Sequence, residues 1–158
     1  MAGRKLEATV LFSDLQGFTT FCHDAAPEVV VENLNRCLDL VTRCVRRHGG
    51  TVHKFIGDGV MAVFGDPVAH PDHAMRAIRA AQDMQQEMER MRLTLDGDQW
   101  VPNLRVRIPT GEVVSGDVGS AEMLEYTVIG DTVSTASRLE GLNKEYGTGI
   151  MVSAAALH

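Results

Sequence analysis

Two apolar, strand-compatible runs each give out at an aspartate, and this arrangement constrains the chain more than any other feature. Asp14 stands in Val10-Leu11-Phe12-Ser13-Asp14-Leu15-Gln16-Gly17-Phe18-Thr19, and Asp58 in Lys54-Phe55-Ile56-Gly57-Asp58-Gly59-Val60-Met61-Ala62-Val63-Phe64. Residues 6–12 read as a first strand that ends at Ser13-Asp14. Asp-Gly between two further strand-like runs signals a tight hairpin, because glycine accepts positive φ, so Asp58 is expected at the hairpin tip. Carboxylates at one rim of a sheet offer hard oxygen ligands to divalent cations. The Gly17-Phe18-Thr19 turn beside Asp14 offers backbone N–H groups to phosphate. The combination points to nucleotide chemistry.

The remaining pattern supplies a frame for that rim. Pro27 and Glu28 open a segment in which Val30, Leu34, Cys37, Leu38, Val41 and Val45 recur at helical spacing, closed by Arg46-Arg47-His48 and Gly49-Gly50. A second helix is expected over residues 72–91, with Ala74, Ile78, Ala81, Met84, Met88 and Met91 on one face. Residues 93–102 read as a polar connection, 104–108 as an alternating strand, and 112–118 with 124–129 as a strand pair. Asp131 or Thr132 caps a helix to about residue 144, and residues 150–152 form a short strand. The order β-α-β-β-α-β followed by β-β-α-β implies an α+β fold. It is a ferredoxin-like sandwich in which helices pack on one face of a mostly antiparallel sheet.

Composition narrows the function classes. A length of 158 residues suits one domain, and a net charge of −6 argues against a broad nucleic-acid surface. No apolar run approaches the roughly 20 residues that cross a bilayer, so no membrane contact is expected of this segment and a cytoplasmic location is. The three cysteines, Cys22, Cys37 and Cys44, form no CxxC pair and read as core thiols. His70 and His73 lack companions for zinc, and Pro71-Asp72 between them reads as a helix start.

Four segments taken together, Phe12-Ser13-Asp14-Leu15-Gln16-Gly17-Phe18-Thr19, Lys54-Phe55-Ile56-Gly57-Asp58-Gly59-Val60-Met61-Ala62, Thr110-Gly111-Glu112-Val113-Val114-Ser115-Gly116 and Tyr126-Thr127-Val128-Ile129-Gly130-Asp131-Thr132-Val133, closely resemble, in order, the motifs of class III nucleotidyl cyclase catalytic domains. The likeness runs over nearly the whole of residues 1–158. It implies a domain that works as a homodimer with sites at the subunit interface, using two Mg²⁺ or Mn²⁺ ions per site. It also implies a regulatory domain elsewhere in the full-length protein.

By motif position the resemblance makes Asp14 and Asp58 the metal aspartates, with the Leu15 carbonyl as a further ligand and Gly17, Phe18 and Thr19 as the phosphate turn. Lys54 falls on the purine-reading lysine and Thr127 on its partner, both from the subunit opposite the metal aspartates. A lysine only donates, which suits an unprotonated adenine ring nitrogen, and a threonine hydroxyl can accept from the exocyclic amine. Guanylyl members of the family carry an acidic residue where Lys54 stands, so ATP is favoured over GTP. Arg138 matches the transition-state arginine, and Ser134 occupies the ribose-orienting position, usually asparagine. Glu112 and Asp131 read as structural.

Besides Ser134, two features depart from the family pattern. Pro109 replaces three residues, a net loss of two, before Thr110-Gly111. The family also continues past the position of His158 with a strand pair carrying a basic residue for the triphosphate, so this chain reads as part of a longer one. Two readings follow: an adenylyl cyclase of bacterial type, or a catalytically weak or inactive cyclase-homology domain that binds nucleotide or dimerises. A diguanylate cyclase would require a Gly-Gly-Asp/Glu-Glu-Phe hairpin, which Gly57-Asp58-Gly59-Val60-Met61 does not match.

Overall fold

The computed structural model describes residues 4–95, 100–109, 113–117, 124–128 and 150–152. In chain order the elements are β1 (Arg4–Leu6), β2 (Thr9–Leu15), α1 (Phe18–Asp24), α2 (Pro27–Arg47), β3 (Thr51–Ile56), β4 (Gly59–Phe64), α3 (His73–Thr94), β5 (Leu104–Ile108), β6 (Val113–Asp117), β7 (Leu124–Val128) and β8 (Ile150–Val152). A five-stranded sheet has the order β3-β4-β2-β5-β8 and is antiparallel except for the β5–β8 pair. A three-stranded antiparallel sheet, β1-β6-β7, forms separately. The architecture is α+β, as expected.

Strand alternation sorts the large sheet into two faces. Leu11 and Leu15 of β2, Val60, Ala62 and Phe64 of β4, and Leu104, Val106 and Ile108 of β5 are buried against the helices. The helix α2 contributes Cys37, Leu40, Val41, Cys44 and Val45, and α3 contributes Ala77, Ala80, Ala81, Met84 and Met88. The α3 alanines let that helix approach the sheet closely. Pro27 at the start of α2 loses no helical hydrogen bond, and Arg46 and Arg47 oppose the dipole at its end. Past it the chain turns through Gly49 at φ 82° and Gly50, where a Cβ would meet the Phe64 ring at 2.5 Å.

On the opposite face Val10, Met61 and Val63 pack with Val113 and Tyr126 of the small sheet. That second sheet departs from the expected single sheet. The run at residues 6–12 is interrupted at Glu7-Ala8, so β1 pairs with β6 while β2 joins the large sheet. The strand also continues past Phe12, and Asp14 lies within β2 rather than beyond its end. The helix α1 was not expected at all, because seven residues are too few for apolar periodicity to show. The strand β5 stops at Ile108, and Pro109, with no N–H for a ladder, is buried directly after it. The expected helix after Asp131 lies outside the described residues.

Candidate active site

Among the described residues, the face of the large sheet turned away from α2 and α3 carries Lys54 and Asp14 in two cross-strand rows. Antiparallel neighbours directly opposite one another point to the same face. Lys54 of β3 lies opposite Met61, Met61 opposite Phe12, and Phe12 opposite Arg107, which makes one row. Two residues further along β2 toward its C-terminal end, Asp14 lies opposite Arg105. The Arg105 Nε donates to Asp14 Oδ1 at 2.7 Å, and the Arg107 guanidinium stands over the Phe12 ring, 5.6 Å from its centre.

Asp58 reaches the same rim from the β3–β4 turn. Its Oδ2 accepts from the Leu15 N–H at 2.9 Å, which ties the hairpin tip to the residue after Asp14. The turn has Gly57 at φ 60°, a conformation open to glycine, with Gly59 pressed against β2. A Cβ at Gly59 would come 2.7 Å from the Ser13 carbonyl oxygen and 3.9 Å from Asp14 Cβ. Sequence spacing and sheet pairing thus converge, and Asp14, Leu15 and Asp58 are brought together as expected.

The turn after Asp14 is more ordered than expected. Gly17, at φ 78° and ψ 12°, caps the short helix α1, and Phe21 N–H donates to the Gly17 carbonyl at 3.1 Å. Gly17 and Thr19 are exposed, whereas Phe18 is half-buried and packs on the core. The backbone N–H groups that open a helix have no intrahelical acceptor and face outward, a geometry that suits phosphate oxygens. An aromatic prop stands beneath it: Trp100 stacks on Phe21 with centroids 4.0 Å apart and planes 6° apart, and lies 6.2 Å from Phe18. Gln16 N–H donates to the Asn103 carbonyl at 2.8 Å, closing the same junction.

Thr127 lies on β7 opposite Val114, in the small sheet rather than beside Lys54. Their neighbours nevertheless meet, the His53 and Tyr126 rings packing edge to face with centroids 5.0 Å apart. The Tyr126 hydroxyl donates to Asp66 Oδ2 at 2.6 Å, which fixes this junction. Ser134, Arg138, Glu112 and Asp131 lie outside the described residues.

The donor set at the rim fits a divalent metal ion of the hard type. Asp14 and Asp58 supply carboxylate oxygens at this rim, Asp58 tied to the backbone of the residue after Asp14 and Gly59 within van der Waals reach of Asp14 Cβ, and oxygen ligands of this kind suit Mg²⁺ or Mn²⁺. No cluster of three or more His, Cys, Asp or Glu side chains with metal-holding geometry occurs among the described residues, so a protein-only cage is absent there. Two carboxylates alone would leave most of an octahedral Mg²⁺ shell to other oxygens, as Mg²⁺ sites on phosphates commonly do. The sequence singled out the carboxylates but not Arg105 or Trp100. The alternation Leu104-Arg105-Val106-Arg107-Ile108 signals a basic face, yet which strand lies beside it is a non-local fact.

The sequence profile described as the adenylate and guanylate cyclase catalytic domain matches residues 2–157. The chain belongs to that family. This cyclase domain is 40% identical over 158 residues to adenylate cyclase 1 of Rhizobium meliloti (strain 1021), covering 99% of the chain and 24% of that protein. Among solved structures, a bacterial light-regulated adenylyl cyclase superposes with a TM-score of 0.82 at 28% identity, covering 99% of this chain and 45% of that one. A guanylyl cyclase also gives 0.82, at 34% identity, over 99% of this chain and 79% of its own. The chain spans about a quarter of the length of the curated relatives it matches, 24% and 29% for two adenylate cyclases. No helix among the described residues is long and apolar enough to cross a membrane.

Proposed function

We propose that residues 1–158 act as an adenylyl cyclase catalytic domain, converting ATP to 3′,5′-cyclic AMP and pyrophosphate in a site completed by a second copy of the chain. The observation that carries this reading is the placement of Asp14, Leu15 and Asp58 at one rim, directly before the glycine-capped start of α1. The adenylate cyclase relative at 40% identity adds support, and the guanylyl cyclase neighbour makes the purine base the point to test.

In this reading Asp14 and Asp58, with the Leu15 carbonyl, hold two Mg²⁺ or Mn²⁺ ions. When bound, these ions supply Lewis-acid charge at the ribose 3′-oxygen and the triphosphate. The Gly17-Phe18-Thr19 backbone holds phosphate oxygens, with Trp100 keeping α1 in place. Across the dimer, Lys54 donates to the adenine ring nitrogen and Thr127 accepts from the exocyclic amine. Ser134 orients the ribose, and Arg138 neutralises charge developing on the phosphoryl oxygens. The 3′-oxygen forms a bond to the α-phosphorus as its proton passes to solvent water, and the bond from that phosphorus to the bridging oxygen breaks, the electron pair leaving with pyrophosphate.

The test is product identity. With Mn²⁺, ATP should give cyclic AMP, and Lys54→Glu should lower kcat/KM for ATP by roughly 10²-fold or more while improving GTP relative to ATP, the scale for a mispaired hydrogen-bonding group. Cyclic GMP as the main product of the unmodified protein would overturn the substrate assignment. Ser134 and the shortened segment at Pro109 favour a second reading, an attenuated cyclase or nucleotide-binding module. A large gain in turnover from Ser134→Asn would identify an attenuated enzyme. Metal-dependent ATP binding with no gain would favour the binding module.

A further inference from the structure

Arg105 has no part in the chemistry described above, yet it makes the closest charged contact at the candidate metal rim. Its Nε lies 2.7 Å from Asp14 Oδ1, and the two side chains are 21% and 25% exposed, which shields the pair from most solvent screening. The contact is set by the sheet itself, since Asp14 and Arg105 are directly opposed across β2 and β5. Asp58 is satisfied differently, by the Leu15 N–H. Of the two carboxylates at the rim, one is therefore paired with a guanidinium and the other hydrogen-bonded by a backbone N–H.

We propose that Arg105 is a built-in counter-cation of the metal site. It neutralises Asp14 while the site is empty and must release Asp14 before a divalent ion is held by both carboxylates, so Arg105 sets the metal affinity. The inference rests on the metal-site reading above. A guanidinium on a carboxylate occupies the lone pairs that a metal ion would use and adds a positive charge next to a second one, and both effects oppose metal entry. Without it, two carboxylates tied to adjacent residues would repel each other in the metal-free protein. Arg105 thus positions Asp14 and protects the empty site, at some cost in metal affinity.

The test is Mn²⁺ binding in the absence of nucleotide, read from the paramagnetic resonance signal of free Mn²⁺. Arg105→Gln should bind Mn²⁺ roughly three- to tenfold more tightly than the unmodified protein, while Arg105→Lys, which keeps the charge, stays within about twofold of it. A structural prop would give unchanged or weaker binding in Arg105→Gln with folding intact, and that result would overturn the inference while leaving the site standing. Absence of Mn²⁺ binding in all three proteins would remove the metal-site reading and the inference with it. A second measurement needs no variant. The Arg105 Nε–H resonance should move from its ion-paired position as Mg²⁺ is added to the unmodified protein, in step with occupancy. A resonance that stays in place at saturation contradicts displacement.

Discussion

Asp14 and Asp58 were legible from the chain because both are set by local rules. A glycine-flanked aspartate in a hairpin turn and an apolar run ending near Ser13-Asp14 each declare their place within about ten residues. Arg105, one strand away, was not legible, because its partner is decided by the pairing of β2 with β5 across 91 positions of sequence. Two of the three cysteines are another local success, since helical spacing placed Cys37 and Cys44 on the buried face of α2, whereas Cys22, expected in the core too, is only half-buried on the short helix α1. Burial pushes the Cys37 thiol from 9.0 up to about 11 and the Cys44 thiol up to about 12, with Asp83 adding to the effect at Cys44. In the unfolded chain both ionise near the ordinary value, so stability is intact below about pH 9 and falls as pH rises from there toward 11 or 12. Each thiol adds up to about 1.4 kcal/mol of loss per pH unit in that window. Urea unfolding at pH 8 and pH 10 should therefore show a steeper alkaline loss for the unmodified protein than for a Cys37→Ala/Cys44→Ala variant. Equal slopes would contradict the account.

At the scale of elements, α2, α3 and the β3–β4 hairpin followed the sequence, whereas α1 and the split of the first strand into β1 and β2 did not. Long amphipathic helices carry their own periodicity, but a seven-residue helix does not, and its support comes from elsewhere. That support is the connection after α3, where Trp100 stacks on Phe21 and Asn103 accepts from Gln16. A polar-looking segment thus holds the helix whose opening N–H groups the proposed function assigns to phosphate. Trp100→Ala removes the stack and leaves Phe18 and Phe21 uncovered. It should lower stability by about 1–3 kcal/mol and speed amide hydrogen exchange in α1 more than in α2. Uniform exchange changes across both helices would show that Trp100 supports the whole core rather than α1.

For the whole molecule, the sandwich divides the labour between two faces. Among the described residues the helices cover one side of the large sheet and the small sheet packs on Val10, Met61 and Val63 of the other, with Asp14 and Asp58 at the rim beside the row that begins at Lys54. In the proposed function the metal rim and the base-reading residues are two halves of a shared site, each completed by its counterpart on another copy of the chain. Mixing two disabled variants tests this central claim most directly. Asp58→Asn keeps an oxygen for the Leu15 N–H but removes a metal charge, and Lys54→Ala removes the base contact; each alone should form cyclic AMP from ATP and Mn²⁺ at least about 10²-fold more slowly than the unmodified protein. Combined in equal amounts they should recover activity, because one of the two sites in a mixed dimer then holds both an intact Asp58 and an intact Lys54. Recovery to a substantial fraction of the unmodified rate is the predicted result. A mixture no more active than its parts, with both variants folded and the unmodified protein active, would contradict the composite site.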